Sequence, residues 1–177
     1  MKSYKPKIDE QEAKELLTLR GRIFRSRKTP PVRVELIYLP YYFFRIKVKN
    51  KRGKEREFIA GIDAIAKSFV LVDEKGLEQE ELSWVEFQPA ISEGEARNAL
   101  LKEARWFLYE KSLMSRDRYQ LVDYKEMELV WYPYWVGYYR SASGSWDFLA
   151  LDAISGILQG GKARRIFILA FSQVRVK

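Results

Sequence analysis

The chain has 177 residues, 47% of them hydrophobic and 15% aromatic, enough for a sizeable core in one domain or in two small ones. It carries a net charge of +8 and contains neither Cys nor His. The first absence excludes disulfides and thiolate chemistry; the second argues against zinc, iron or copper sites and against a His base.

The charge is unevenly spread. From Arg20 to Arg56 there are 13 Lys/Arg against Glu35 and Glu55, whereas Asp73 to Glu95 holds eight acids against Lys75 alone. Such asymmetry suits an anionic partner, or two patches that meet within the fold or across a homodimer.

The start, MKSYKPKIDEQEAKE, is polar throughout, which predicts no signal peptide and a cytoplasmic location. A first helix is expected from Asp9, whose spacing to Glu12 imitates a capping box, with Ala13, Leu16, Leu17 and then Ile23 and Phe24 turned to a core. Gly21 weakens it. RSRKTPP at 25–31 is a basic connector, and Pro30 and Pro31 hand over to extended chain.

A long strand follows, in which Val32, Val34, Leu36, Tyr38, Tyr42, Phe44, Ile46 and Val48 keep one phase against Arg33, Glu35, Arg45, Lys47 and Lys49. At its centre Ile37, Leu39, Tyr41 and Phe43 make the other face apolar too. This stretch is therefore either covered on both faces or presents an aromatic patch. Pro40 cannot donate to a ladder and marks an edge position or a bulge. NKRGKERE at 50–57 reads as a charged hairpin tip around Gly53, FIAGIDAI as the return, and SFVLVD as a further strand. EKGLEQEEL at 74–82 reads as loop and SWVEFQ at 83–88 as a short strand closed by Pro89.

A second helix opens on the capping box Ser92 to Glu95 and runs to about Leu113, with Ala96, Leu100, Ala104, Phe107 and Leu108 on one face. YQLVDYKEMELVWYPYWVGYYR at 119–140 is a second long strand, SASGS a turn, WDFLALDAI a returning strand, and ARRIFILAFSQVRV a closing strand. The longest apolar run, at 129–139, is 11 residues with Pro133 inside it, too short to span a bilayer.

Three stretches recur. VELIYLPYYFF at 34–44 returns as MELVWYPYWVG at 127–137, with Glu35, Leu36, Pro40 and Tyr41 opposite Glu128, Leu129, Pro133 and Tyr134 at a constant offset of 93 (128 − 35). IDEQEAKELL at 8–17 aligns with ISEGEARNAL at 91–100 at offset 83, and IDAI at 62–65 with LDAI at 151–154 at offset 89. The offsets change between elements, where insertions belong. The expected fold is α+β: two related helix-plus-antiparallel-sheet units, 1–90 and 91–177, related by a pseudo-twofold and able to share one sheet.

The order helix, long strand, strand, strand, with D-A-I-S-G-I-L running from Asp152 to Leu158, resembles the PepSY repeat and cystatin-like α+β units over about 91–172, and more faintly over 8–88. The resemblance implies a helix wrapped by antiparallel strands. The extracellular peptidase-regulating role proposed for that family would go with a secretion signal, and none is read here.

Two surfaces stand out. The aromatic set Tyr38, Tyr41, Phe43, Trp131, Tyr134 and Trp135 is either core or a groove for a protein or peptide. Arg25, Arg27, Lys28, Lys47, Lys49, Lys51, Arg52 and Lys54 form a phosphate-tracking surface if Tyr41 and Phe43 are free to stack. Asp63 and Asp152 occupy equivalent places and read as turn residues ahead of an acid/base pair. Gly156, Gly161 and Lys162 fit G-x-x-x-x-G-K, but Ala163 stands where a Ser/Thr is needed and the sequel reads as strand.

No catalytic residue, metal site or cofactor is assigned. The expected function is a non-catalytic interaction module binding a protein or peptide through the aromatic sheet face or a sheet edge. Nucleic-acid or polyanion binding on the 20–56 surface is the alternative, and a carboxylate-dependent enzyme comes third.

Overall fold

A computed structural model describes residues 1–20, 28–72, 74, 77–115, 117–141 and 143–174. In chain order these form β1 (Lys2–Tyr4), α1 (Glu10–Leu16), β2 (Leu19–Arg20), β3 (Lys28–Thr29), β4 (Arg33–Asn50), β5 (Glu55–Asp63), β6 (Phe69–Val72), β7 (Gln79–Glu81), α2 (Glu93–Ser115), β8 (Tyr119–Arg140), β9 (Trp146–Asp152) and α3 (Gly161–Val174). The fold is α+β. Seven strands form one mixed sheet in the order β6-β5-β4-β8-β1-β7, with β9 also on β8, while β2 and β3 pair apart. Among the described residues no helix is long and apolar enough to cross a membrane.

The sheet is organised by its two longest strands. β4 and β8 run antiparallel from Arg33↔Tyr138 to Asn50↔Tyr119, and Leu39 sits opposite Tyr132. One step either side, Pro40 faces Trp131 and Tyr38 faces Pro133. Proline in a central strand should break a ladder, but each of these stands where its other neighbour has just ended. β5 begins pairing at Tyr41↔Asp63, and β9 at Tyr134↔Asp152. The N and the C=O of one residue face the same side of a strand, so each proline nitrogen points where no strand asks for a donor. Their carbonyls are used: Pro40 O accepts from Ala64 N (2.8 Å) and Pro133 O from Ala153 N (3.2 Å).

Both faces of the centre are covered. Ile37, Leu39, Tyr41 and Phe43 share a face with Val130, Tyr132, Tyr134 and Val136, under Tyr4, Phe87 and the α3 residues Ile166, Phe167 and Ala170. On the other face Phe44, Ile46, Ala60 and Ile62 pack on Ala96 and Leu100 of α2, while Trp135 and Leu151 pack on Ala13 and Leu17 beside α1. α1 and α2 start on their predicted caps. Asp9 Oδ1 accepts from Glu12 N (2.8 Å), and Ser92 and Glu95 bond reciprocally.

Several expectations are corrected. α1 stops at Leu16, with Leu17 as its C-cap, and Ile23 and Phe24 lie outside the described residues. The stretch read as an acidic loop contains β7, because β1 offers it an edge through Lys2↔Glu81 and Tyr4↔Gln79. SWVEFQ is irregular, although Val85 and Phe87 are buried within it. The run read as a closing strand is α3: Ala163, Ile166, Phe167, Ala170 and Phe171 recur at helical spacing on the core.

The turns after β5 and β9 match in detail. Asp63 N donates to Ser68 O and Asp152 N to Ile157 O, both at 3.0 Å; Lys67 N returns to Asp63 O (3.2 Å) and Gly156 N to Asp152 O (2.9 Å). Both turns need a left-handed residue. Gly156 supplies it at φ +71°, but in the first turn Lys67 is forced to φ 62°. Lys67→Gly is therefore expected to stabilise the protein by about 1 kcal/mol, and Gly156→Ala to cost about as much. Urea unfolding midpoints of the two variants check both signs.

Candidate functional site

Between β6 and the segment joining β9 to α3 lies a cleft of about 520 Å³, lined by Lys7, Val70, Leu71, Val72, Asp152, Ser155, Ile157 and Gln159 over a floor of Tyr41, Phe43, Tyr132 and Tyr134. A second cavity of about 650 Å³ shares Tyr41, Val70, Tyr134 and Gln159 and continues to Lys67, Trp106, Phe107, Glu110 and Arg165. The two form one groove past the β6 edge.

Its floor is a hydrogen-bonded tyrosine set. The Tyr41 and Tyr134 hydroxyls are hydrogen-bonded to each other at 2.9 Å, and Tyr132 donates to Asp152 Oδ2 at 3.0 Å. Burial raises all three phenols above their ordinary range, and the Asp152 carboxylate raises Tyr132 further. They stay neutral at physiological pH and can act only as hydrogen-bonding groups.

The two aspartates are held by turn backbone. Asp63 is fully buried; its Oδ1 accepts from Ile65 N (3.0 Å) and Ala66 N (2.5 Å), and its Oδ2 from Ser68 N (2.5 Å). Burial pushes its carboxyl above the ordinary value, while those three donors pull it back. Asp152 Oδ1 accepts from Ile154 N (2.8 Å) and Ser155 N (2.9 Å). Four oxygens are thus committed to six donors of the protein itself. Among the described residues no group of three or more Asp, Glu, His or Cys could hold a metal.

The aromatic set is not a free face. Tyr41, Phe43, Trp131, Tyr134 and Trp135 are buried and Tyr38 is half-buried. Their polar tips are used inside the protein: Tyr38 on Glu80 (3.0 Å), Trp131 on Phe87 O (3.0 Å) and Trp135 on Ile8 O (2.7 Å). Tyr41, Phe43 and Tyr134 reach the cleft; Tyr38, Trp131 and Trp135 do not line it.

Of the basic set, Arg25, Arg27 and the Lys28 side chain lie outside the described residues. Lys47 is neutralised by Glu55 at 2.6 Å. Lys49, Lys51, Arg52 and Lys54 are exposed at the hairpin tip, and Lys51 joins Arg105, Arg118, Tyr109 and Tyr119 around a cavity of about 580 Å³. The G-x-x-x-x-G-K stretch does run from a strand into α3, contrary to the reading of its sequel. Its loop folds back on β9 instead of cradling an anion: Gln159 N donates to Ala150 O at 2.8 Å.

Sequence reasoning missed Lys7, Val70, Leu71, Tyr132 and Gln159, because no local pattern brings β6 beside the 154–159 segment. Compared with protein-family models, curated proteins and solved structures, the chain matches none.

Asp63→Ala is expected to strand three backbone donors, that of Ile65 being buried, at a cost of about 3 kcal/mol or more. Asp152→Ala, whose turn is half-exposed, is expected to cost about 1 kcal/mol less. Chemical denaturation of the two variants side by side measures the difference.

Proposed function

We propose that the protein is a non-catalytic interaction module that takes an extended peptide segment of a protein partner onto the outer edge of β6, with alternate side chains entering the tyrosine-floored cleft. The supporting observation is that edge. Among the described residues nothing pairs with the outer side of β6. Because Asp63 N bonds Ser68 O, the alternation of an antiparallel ladder turns the backbone groups of Val70 and Val72 toward β5. Those of Phe69 and Leu71 are left facing outward. An added strand finds main-chain partners there, apolar walls in Val70, Leu71 and Ile157, and neutral hydroxyls beneath.

The same proposal includes the architecture: two units, 1–90 and 91–177, each the copy of one ancestral helix-and-sheet segment, related by a twofold between Leu39 and Tyr132. Matched contacts support it. Tyr42 hydroxyl donates to Ile91 O (3.2 Å) as Trp135 Nε1 donates to Ile8 O (2.7 Å). Ala90 N reaches Ala64 O (2.7 Å) as Lys7 N reaches Ala153 O (2.9 Å). On this reading Tyr41 and Tyr134 are one residue twice, hydrogen-bonded to its own copy, and the groove lies on the axis. The likeness to PepSY and cystatin-like units rests on the Asp152 to Leu158 turn and remains part of this proposal.

The test uses a phage-displayed library of random peptides. The wild-type chain should enrich sequences of alternating apolar residues. Leu71→Pro removes one outward N–H and leaves the β5 ladder whole, so it should fold within about 1 kcal/mol of wild type and lose the enrichment. No enrichment by the wild type, or enrichment that survives Leu71→Pro, sinks the reading.

A second reading, polyanion binding, is favoured by one observation: Lys49, Lys51, Arg52 and Lys54 are exposed and enter none of the ion pairs of the described residues. Four charge reversals there should abolish retention on heparin or single-stranded DNA and flatten its salt dependence. Unchanged retention removes this reading.

A further inference from the structure

α2 buries Ala96, Leu100, Ala104 and Leu108 against the sheet, and its opposite side is unusually apolar. Trp106, Tyr109 and Leu113 are 60%, 56% and 64% exposed, and Trp106 and Tyr109 lie with ring centroids 5.7 Å apart. With Lys102 they recur at intervals of four, three and four residues, the spacing of one coiled-coil seam. In that frame Trp106 and Leu113 are a positions and Lys102 and Tyr109 are d positions. The seam borders the peptide groove without coinciding with it: Trp106 belongs to both, the flank residues Glu103 and Glu110 also line the groove, and Lys102, Tyr109 and Leu113 do not.

The flanks of the seam carry opposite charge. On one side, at e positions, stand Glu103 and Glu110; on the other, at g positions, stand Asn98 and Arg105. None of Glu103, Arg105 and Glu110 enters an ion pair of the described residues. Two helices packed antiparallel on this seam would set the glutamate flank against itself. Two packed parallel bring each g position beside the e position five residues further on in the other chain. Arg105 then meets Glu110, and Asn98 meets Glu103. Lys102 lays its aliphatic stem on the end of the seam and keeps its ammonium in water.

We propose that the outer face of α2 docks a second copy of this chain, helix parallel to helix about a twofold, with Trp106, Tyr109 and Leu113 in the seam and Arg105 paired to the other copy's Glu110. The charge complementarity of the two flanks selects this occupant and this orientation.

The chain has no Cys, so a single engineered thiol reports the geometry cleanly. Sedimentation should show a concentration-dependent dimer, and Trp106→Glu or Leu113→Glu, with unchanged circular dichroism, should leave a monomer. Arg105→Glu and Glu110→Arg should each weaken association roughly three- to tenfold, because each change acts twice across the twofold, and the double swap should restore it. Under mild oxidation Lys102→Cys alone should crosslink, since a parallel seam sets position 102 against itself. A chain that stays monomeric at about 1 mM overturns the proposal. So does a dimer that survives Trp106→Glu, a double swap that fails to recover association, or crosslinking seen only between Lys102→Cys and Leu113→Cys chains.

Discussion

Everything in this structure depends on one pairing, that of β4 with β8 in the register that sets Leu39 opposite Tyr132. A slip of β4 by one residue would turn Tyr41 and Phe43 out of the core they share with Tyr132 and Tyr134, and would take Phe44 and Ile46 off α2. The prolines help to prevent that slip. Pro40 and Pro133 tolerate a ladder on one side only, so the ends of β5 and β9 must fall one residue short of them, where Ala64 and Ala153 turn away and donate back to the proline carbonyls. Fixing the two long strands therefore fixes the two outer hairpins.

That constraint also creates the cleft. Both hairpins end in an aspartate turn that reverses the chain sharply, bringing β6 back along β5 and the 157–159 stretch back along β9. The two returning segments wall a groove over the middle of the sheet, and the tyrosines nearest the centre of the register become its floor. Beyond this point the halves part company. The chain after β6 goes to β7 and an irregular segment that delivers Phe87, whereas the chain after 159 becomes α3 and delivers Phe167 and Phe171 to the same core. A groove with matched walls but unlike ends can orient an asymmetric ligand.

Much of this was legible in the residues. The long strands, their hairpin tips and both capped helices follow from alternation, Gly53, and the Asp9 and Ser92 boxes, because local chemistry alone dictates them. α3 was not legible, since IFILAF at 166–171 is apolar without interruption and only its packing on Phe148 and Tyr134 selects the helical repeat. β7 was hidden for a different reason: EKGLEQEEL has no strand propensity and pairs because β1, held on β8 by one side, offers it the other. The aromatic stretch was recognised as the organising element, but a sequence cannot separate a face from a floor. Trp131, Trp135, Tyr41, Phe43 and Tyr134 are all buried, but the two indoles donate to Phe87 O and Ile8 O away from the cleft, whereas Tyr41, Phe43 and Tyr134 line it.

The charge asymmetry resolves the same way. Part of the acidic stretch is spent inside the fold: Glu74 on Arg45 (2.6 Å), Glu80 on Tyr38 (3.0 Å) and Glu95 on Lys67 (2.9 Å). These contacts tie the β7 region and the start of α2 to the sheet, and as exposed pairs they steer register more than they add stability. They draw on cations near the middle of the sheet, Arg45 and Lys67. Among the described residues of the basic stretch, the positive charge left outside ion pairs gathers at the far tip of the β4–β5 hairpin, from Lys49 to Lys54, which is the end of the sheet away from the cleft. A peptide bound along β6 and a polyanion held at that tip would accordingly occupy separate ends of the molecule, so the two readings describe different surfaces and do not compete for the same residues.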